Sequence, residues 1–305
     1  MRRPRPFLSV LVFFAASGCT AAGSEGEAVR RGDEAFARGD LPEALAEYRL
    51  SLAQGGDDVG AFLRAAHAYA QSGRVDEARL YYQQAVEIEP ELSDLAASDL
   101  LRVARAAIAR QDGIAAAAAV EAAMELRPGV SLTGISLPLA RHFAGNGRYG
   151  QALPFFQKAL RETESDPDVV FEMALTHEEL GDCRRALVFF EQIREEVTPA
   201  QRSEVDWNIG NCSVDLAEEA KIEEDLDEVL RLYQTTIELG EPRNRLSQAW
   251  FEIGEILASR GECSAAVSAF DQVSRQDLPG GFLVDRSQAR ADEIRFFRRG
   301  GEGPC

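Results

Sequence analysis

Three histidines, five cysteines and an excess of carboxylates are the side chains here that could serve catalysis, metal binding or covalent modification. His67, His142 and His177 lie far apart, and none has a partner at the spacing of a metal pair or a nucleophile triad. There is no Cys-x-x-Cys and no glycine loop that would cradle a phosphate. Glu178–Glu179 and Glu195–Glu196 read as solvated helix faces rather than acid–base pairs. The residues therefore give no basis for an enzyme, and no metal or cofactor is expected. The cysteines carry the remaining chemistry. Cys19 closes an N-terminal apolar stretch, while Cys183, Cys212, Cys263 and Cys305 form an even set.

Met1 to Gly18 has the build of an export leader. Arg2, Arg3 and Arg5 form a basic head, and Phe7 to Ala16 is an apolar run. That run is shorter than the roughly 20 residues a helix needs to cross a bilayer. Ala16-Ser17-Gly18 then precede Cys19, an ending that resembles the bacterial lipobox, with Ala16 where that family prefers leucine. The resemblance implies cleavage after residue 18 and acylation of Cys19, palmitate being among the expected chains. The alternative is an ordinary leader cleaved near Ala16, leaving a soluble protein. Thr20 is not the aspartate that resembles an inner-membrane retention mark, so the outer membrane, facing the periplasm, is the expected site. Residues 19–27 would then be the lipidated cysteine and a short polar tether, about 25 Å long when extended.

These candidate groups are positioned by a repeat. In Gly73 to Pro90, a glycine closes one helix and Ala78, Tyr82 and Ala85 share one face of the next. The small residue recurs as Ala44, Ala78, Ala116, Ala152, Ala186, Val229 and Ala266. A larger apolar residue follows four positions on: Tyr48, Tyr82, Val120, Phe156, Phe190, Tyr233 and Phe270. Five residues before the small one stands Gly39, Gly73, Gly147, Gly181 or Gly261, with Gln111 in the third unit. Upstream, Phe62, Ala65, Ala66 and Tyr69 recur as Leu100, Val103, Ala104 and Ala107, a second helical stripe. Each unit is thus helix A, tight turn, helix B. Two antiparallel helices approach closely only where small residues face each other, and the aromatic fills the gap beside them.

This pattern resembles the tetratricopeptide repeat family, and Val59 to Leu92 matches nearly every signature position. The resemblance implies an all-α, right-handed superhelical solenoid of about seven repeats over residues 28–280. Units start near Glu25, Val59, Ala97, Thr133, Pro167, Ser203 and Ser247. Ser93 to Ala96 reads as a short insertion, and Ser131 to Pro138 as the weakest helix start. Unit six departs most, with Val229 for alanine, no turn glycine and about seven extra residues around Ala217 to Leu226. Residues 281–305 read as a capping helix, marked by Leu283, Ala289, Ile294 and Phe297, and a glycine-rich tail. His177 falls on a core position and reads as a packed histidine.

The register also places the cysteines. Four allow three connectivities. Cys183 begins helix B of unit five, and Cys212 lies late in helix A of unit six, antiparallel to it. Cys263 begins helix B of unit seven, and Cys305 follows the cap. The expected pairs are Cys183–Cys212 and Cys263–Cys305, formed in an oxidising compartment.

The family resemblance implies a concave wall built from the fifth and ninth positions of each helix A. The fifth row reads Val29, Leu63, Leu101, Leu137, Phe171, Trp207 and Phe251. The ninth reads Asp33, His67, Arg105, Arg141, Leu175, Asn211 and Glu255. The first is apolar with aromatics late in the chain. The second carries a basic pair, Arg105 and Arg141, ahead of an acidic stretch at Glu178, Glu179, Asp215 and Glu255. A lysine-and-asparagine clamp for a C-terminal carboxylate is absent from these rows.

Charge narrows the partners. There are 51 acidic against 33 basic side chains, a net charge of −18. That opposes nucleic acid, whose binders need a basic surface. It also opposes adhesion to anionic head groups, so membrane attachment is expected through the lipid alone. The function read from the sequence is a lipid-anchored protein-interaction scaffold for an envelope complex, of the kind that assembles pilus secretins or outer-membrane proteins. The alternative is a periplasmic adaptor for an enzyme such as a peptidoglycan hydrolase.

Overall fold

The structure, a computed structural model, describes residues 25–55, 58–277, 280–297 and Cys305. Among these there are α-helices with short 3-10 and π turns, and no strand. The sequence predicts one solenoid over 28–280. The chain is described as two compact units, Met1–Ser131 and Leu132–Cys305. The division falls where the helical pattern is weakest, at Ser131 to Pro138.

The N-terminal unit holds three hairpins. They are α1 (Glu25–Ala37) with α2 (Leu41–Gly55), α3 (Val59–Gln71) with α4 (Val75–Ile88), and α5 (Ser93–Ala109) with α6 (Gly113–Leu126). The C-terminal unit holds four. They are α7 (Ser136–Gly145) with α8 (Tyr149–Glu162), α9 (Pro167–Glu179) with α10 (Cys183–Ile193), α11 (Pro199–Ile222) with α12 (Leu226–Leu239), and α13 (Arg243–Ser259) with α14 (Cys263–Gln276). Helix α15 (Phe282–Asp292) and a π turn at Glu293–Phe297 follow.

Each hairpin turns the same way. The last carbonyls of helix A are taken by a Schellman pair: Asp40 N–H donates to Ala35 O, and Gly39 N–H to Phe36 O. The equivalent bond runs from Arg74 to Tyr69, Asp112 to Ala107, Arg148 to Phe143, Asp182 to His177, Asp225 to Ala220 and Glu262 to Leu257. In four turns that same residue is an aspartate whose carboxylate then caps helix B. Asp40, Asp112, Asp182 and Asp225 accept from the backbone N–H of Glu43, Ala115, Arg185 and Glu228. The turn needs a left-handed residue, normally glycine. Gln111 and Glu224 take that place with φ of 60°, so the third and sixth hairpins close identically without one.

Packing follows the small/large alternation. Ala44, Ala78, Ala116, Ala152, Ala186, Val229 and Ala266 are fully buried, and their larger companions from Tyr48 to Phe270 are no more than 2% exposed. A Cβ on Gly32 would stand 2.5 Å from the Tyr48 ring, and one on Gly254 2.6 Å from the Phe270 ring. These glycines let the aromatic of helix B lie against the backbone of helix A. The buried tyrosine hydroxyls need acceptors, and helix A carboxylates supply them: Tyr48 to Asp33 (2.9 Å), Tyr233 to Glu218 (2.5 Å) and Tyr82 to Asp99.

Three sequence expectations change. Ser93 to Ala96 is no insertion. It forms the first turn of a lengthened α5, entered through a 3-10 turn at Pro90–Leu92. In the sixth unit the extra residues up to Ile222 lengthen helix A, α11 running 24 residues from a Thr198–Gln201 capping box, and 223–225 form the turn. Added residues that keep helical spacing extend a helix rather than open a loop. On the cap, the buried stripe is Val284, Ser287, Ala291 and Ile294, while Ala289 is exposed. That stripe covers Phe251, Ala258 and Phe270 at the end of the C-terminal unit.

Candidate functional site

Three helices A of the N-terminal unit, α1, α3 and α5, line one cleft of about 820 Å³ with help from Tyr48 and Tyr82. Its apolar surface is Phe36 from α1, Leu63 from α3 and Leu95 from α5, the last 57% exposed. Between these stand Asp33, Arg64, His67, Asp99 and Arg102.

Asp99 organises the charged part. Its Oδ2 accepts from His67 Nδ1 (2.8 Å) and from the Tyr82 hydroxyl, and its Oδ1 from the Arg102 guanidinium. With the proton on Nδ1, His67 Nε2 accepts from Gln71 Nε2 at 3.0 Å. The imidazole lies 5.3 Å from the Phe36 ring. Burial alone would raise the Asp99 carboxyl, but the bonds from His67, Tyr82 and Arg102 outweigh it and hold it down to about 2. Burial, and then the bond to Asp99, push the Tyr82 phenol far above its ordinary value. On the α1 side, Asp33 accepts from the Tyr48 hydroxyl and from Arg64 Nε at 3.0 Å. This cluster orders the wall.

The predicted rows divide. In the fifth row, Leu63 lines the cleft, and Leu137 and Phe171 are half-buried. Trp207 is 45% exposed. Leu101 (4%) and Phe251 (3%) are buried and offer no wall to a partner. Leu101 is drawn in with its neighbours Leu100 and Ala104. Phe251 packs 5.7 Å from Phe270, with the Arg286 guanidinium 4.7 Å from its ring.

The ninth row mostly bonds to the next helix A instead of facing outward. Asp33 pairs with Arg64, His67 with Asp99, and Glu255 with Arg290 of α15. Arg141 forks onto Glu172 at 2.6–3.0 Å. The expected basic pair therefore does not exist as free charge, because Glu172 neutralises Arg141. Arg105 is exposed, and Asn211 and Leu175 are half-buried. The acidic stretch is present: burial, with the charges of Glu179 and Asp215, pushes the Glu178 carboxyl up to about 7. His177 is buried and stacks 5.6 Å from Phe189, as a packed histidine should.

Cys183 and Cys212 lie with sulfurs 2.40 Å apart, and Cys263 and Cys305 with sulfurs 2.01 Å apart. The backbone N–H of Cys305 also donates to Ala258 O at 2.6 Å. Cys19, with the leader at 1–18 and most of the tether, lies outside the described residues. Among the described residues no cluster of His, Cys, Asp or Glu has the makings of a metal site, and no helix is long and apolar enough to cross a membrane.

Sequence reasoning missed Phe36, Leu95, Asp99, Arg64 and Arg102. A signal for the charged members is present. Opposite charges recur 31 residues apart, as in Asp33/Arg64 and Arg141/Glu172, close to one repeat length.

Residues 29–93 match the tetratricopeptide repeat family model. A curated relative, cellulose synthase operon protein C of Xanthomonas axonopodis pv. citri (strain 306), is 32% identical over 154 residues. That match takes in 49% of this chain and spans only 10% of the relative's length. Among solved structures, the Naa15/Naa10 complex with HypK-THB aligns over 89% of this chain and 39% of its own, at 13% identity and a TM-score of 0.42. YrrB, described as a TPR protein with an unusual peptide-binding site, aligns over 79% of this chain and 97% of its own, at 16% identity and a TM-score of 0.33. Residues 29–93 are thus similar to tetratricopeptide repeats, and the described residues fold as consecutive helix hairpins.

Proposed function

We propose that this chain is a lipid-anchored scaffold of the bacterial envelope that holds a protein segment in the cleft of its N-terminal unit. The observation that carries the reading is the cleft itself. Phe36, Leu63 and Leu95 leave apolar surface uncovered, while the charged groups around them are held in a fixed network. A rigid, partly apolar groove suits an extended or helical segment. The anchor rests on Ala16-Ser17-Gly18-Cys19, and the envelope follows from the anchor. The relative named for a cellulose synthase operon adds polysaccharide-synthesising machinery to the partners worth testing.

The test is site-specific photocrosslinking in cells. A photoreactive residue at position 63 or 95 should capture the same polypeptide, and one at exposed Ile114 on α6 should not. Cys19→Ala should move the protein from the membrane to the soluble fraction. Capture from position 114 but from neither 63 nor 95 would refute the cleft. A Cys19→Ala variant that still pellets with membranes after carbonate washing would refute the anchor.

A further inference from the structure

We infer that the C-terminal unit carries a docking face of its own, on α9 and α11, for a cationic segment of another protein. An apolar side chain of that segment rests on the Trp207 indole, and an arginine or lysine enters among Glu178, Glu179 and Asp215. The face lies in the other unit from the cleft and does not rest on the reading of the cleft.

Helices α9 and α11 lie side by side. Near their starts Gln201 Nε2 donates to Asp168 Oδ1 at 3.0 Å, and near the far end of α9 the charge of Asp215 acts on Glu178. Between these points Trp207 is 45% exposed, and Phe171 and Leu175 are half-buried. Trp207, Asn211 and Asp215 follow one another four residues apart, on one stripe of α11. Phe171, Leu175 and Glu179 do the same on α9. Each helix thus leads from an aromatic ring to carboxylates along a single stripe. Eight residues of helix rise about 12 Å, a span that an extended segment covers in about four residues.

Charge selects the occupant. Helix α9 carries Asp168, Glu172, Glu178 and Glu179 and no arginine or lysine. From Ser203 to Ala220, α11 has acidic residues and no basic one. Cations from elsewhere serve part of this set: Arg141 is forked onto Glu172, Arg194 holds Asp206, and Lys221 meets Glu218. The carboxylates at the far end are left over. Glu178 has no ion pair among the described residues, Glu179 is met by the Tyr149 phenol, and Asp215 has Arg245 only at 3.5 Å. Burial, with the charges of Glu179 and Asp215, holds the Glu178 carboxyl up near 7, as befits a carboxylate with no cation beside it. An exposed indole also favours a guanidinium or ammonium over its face. The chain as a whole carries −18, so a cationic segment is attracted from a distance, and Trp207 decides where it stays.

The test uses the full chain and fluorescein-labelled, amidated peptides built on Arg-Ser-Ser-Ser-Leu-Ser-Ser-Ser-Arg, which reads the same in both directions. Its arginines are replaced by glutamine in a second peptide, and its leucine by serine in a third. Fluorescence anisotropy at low salt should show the first binding at least tenfold more tightly than either of the others. Trp207→Ala should weaken it at least tenfold, with helical content by circular dichroism unchanged. Glu178→Gln with Asp215→Asn should bring the arginine peptide level with the glutamine one. Glu87→Gln with Glu89→Gln removes the same two charges from exposed positions on α4 and should leave binding as it was. Equal binding of the arginine and glutamine peptides, or wild-type affinity in Trp207→Ala, would overturn the inference. So would an equal loss in the Glu87/Glu89 variant, which would mean that the peptide reads net charge alone. Crosslinks from positions 63 and 95 report on the N-terminal unit, so the cleft stands or falls separately from this result.

Discussion

Asp99→Asn should cost the folded protein about 2 kcal/mol at neutral pH, and the loss should fade in acid. The carboxylate sits on α5 with its side chain 11% exposed, where burial favours the neutral acid. Donors from three helices reverse that preference: His67 on α3, Tyr82 on α4 and Arg102 on α5. The carboxyl falls from its ordinary 3.8 to about 2 in the folded chain. At 1.36 kcal/mol per pH unit, that difference stabilises the fold by about 2 kcal/mol. Because the folded value is the lower one, the contribution is complete above pH ~4 and disappears as the pH falls through ~2. Near pH 3 roughly half should remain. Urea unfolding of wild type and variant at pH 7, 5, 4 and 3 measures the gap directly, and a carbon-13 titration of the carboxyl checks the cause. A gap that is the same size at pH 7 and pH 3 would mean that asparagine disturbs packing. A carboxyl titrating near 4 would mean that the donors do not outweigh burial. Either result refutes the reasoning.

Other consequences follow from the C-terminal unit. A Cβ on Gly210 would stand 2.0 Å from the Glu241 carbonyl oxygen and 2.7 Å from Pro242 Cδ, so Gly210→Ala must shift backbone. It should destabilise by about 3 kcal/mol, against a gain of up to about 1 kcal/mol for Gly145→Ala, where nothing lies within 4 Å; thermal melts compare the two. Glu178 has a folded carboxyl near 7, above its ordinary 4.5, so it lowers stability progressively as pH rises between those values. Glu178→Gln should flatten that slope and add about 1–2 kcal/mol at pH 8, allowing for partial exposure, in denaturation series from pH 4 to 8. Peptide mapping without reductant should find Cys183 joined to Cys212 and Cys263 to Cys305, each link contributing about 2–4 kcal/mol that reductant removes.

The sequence carried the hairpins plainly, because everything that shapes them is local. Ala78, Tyr82 and Ala85 define a face within two turns, and a Schellman turn needs only one residue able to turn left-handed. Even the third hairpin, with Gln111 where glycine is usual, keeps the turn, with Ala107 and Ala116 fully buried on either side of it. Ser93 to Ala96 misled for a related reason. A repeat length counts residues between signatures, and a helix that gains a turn at its start changes that count without breaking the fold.

The site was harder to read, because a position's place in a repeat says which way its side chain leaves the helix, not what meets it. Arg141 and Arg105 hold the same repeat position, yet one is forked onto Glu172 and the other is exposed. Arg141 finds its carboxylate 31 residues further along the chain, on the next helix A of the same unit. The same applies to the apolar row. Leu63 keeps its exposure beside a cleft, whereas Phe251 loses it to α15, which closes that end of the unit. Tyrosine against phenylalanine on helix B marks a further split. Tyr48, Tyr82 and Tyr233 each bring a carboxylate of helix A to the hydroxyl, and Phe156, Phe190 and Phe270 have no hydroxyl to do so. The two tyrosines of the N-terminal unit thereby bond Asp33 and Asp99, and those carboxylates in turn hold Arg64 and Arg102. A substitution of one hydroxyl, in a core position that looks purely structural, is thus linked to the chemistry the cleft presents.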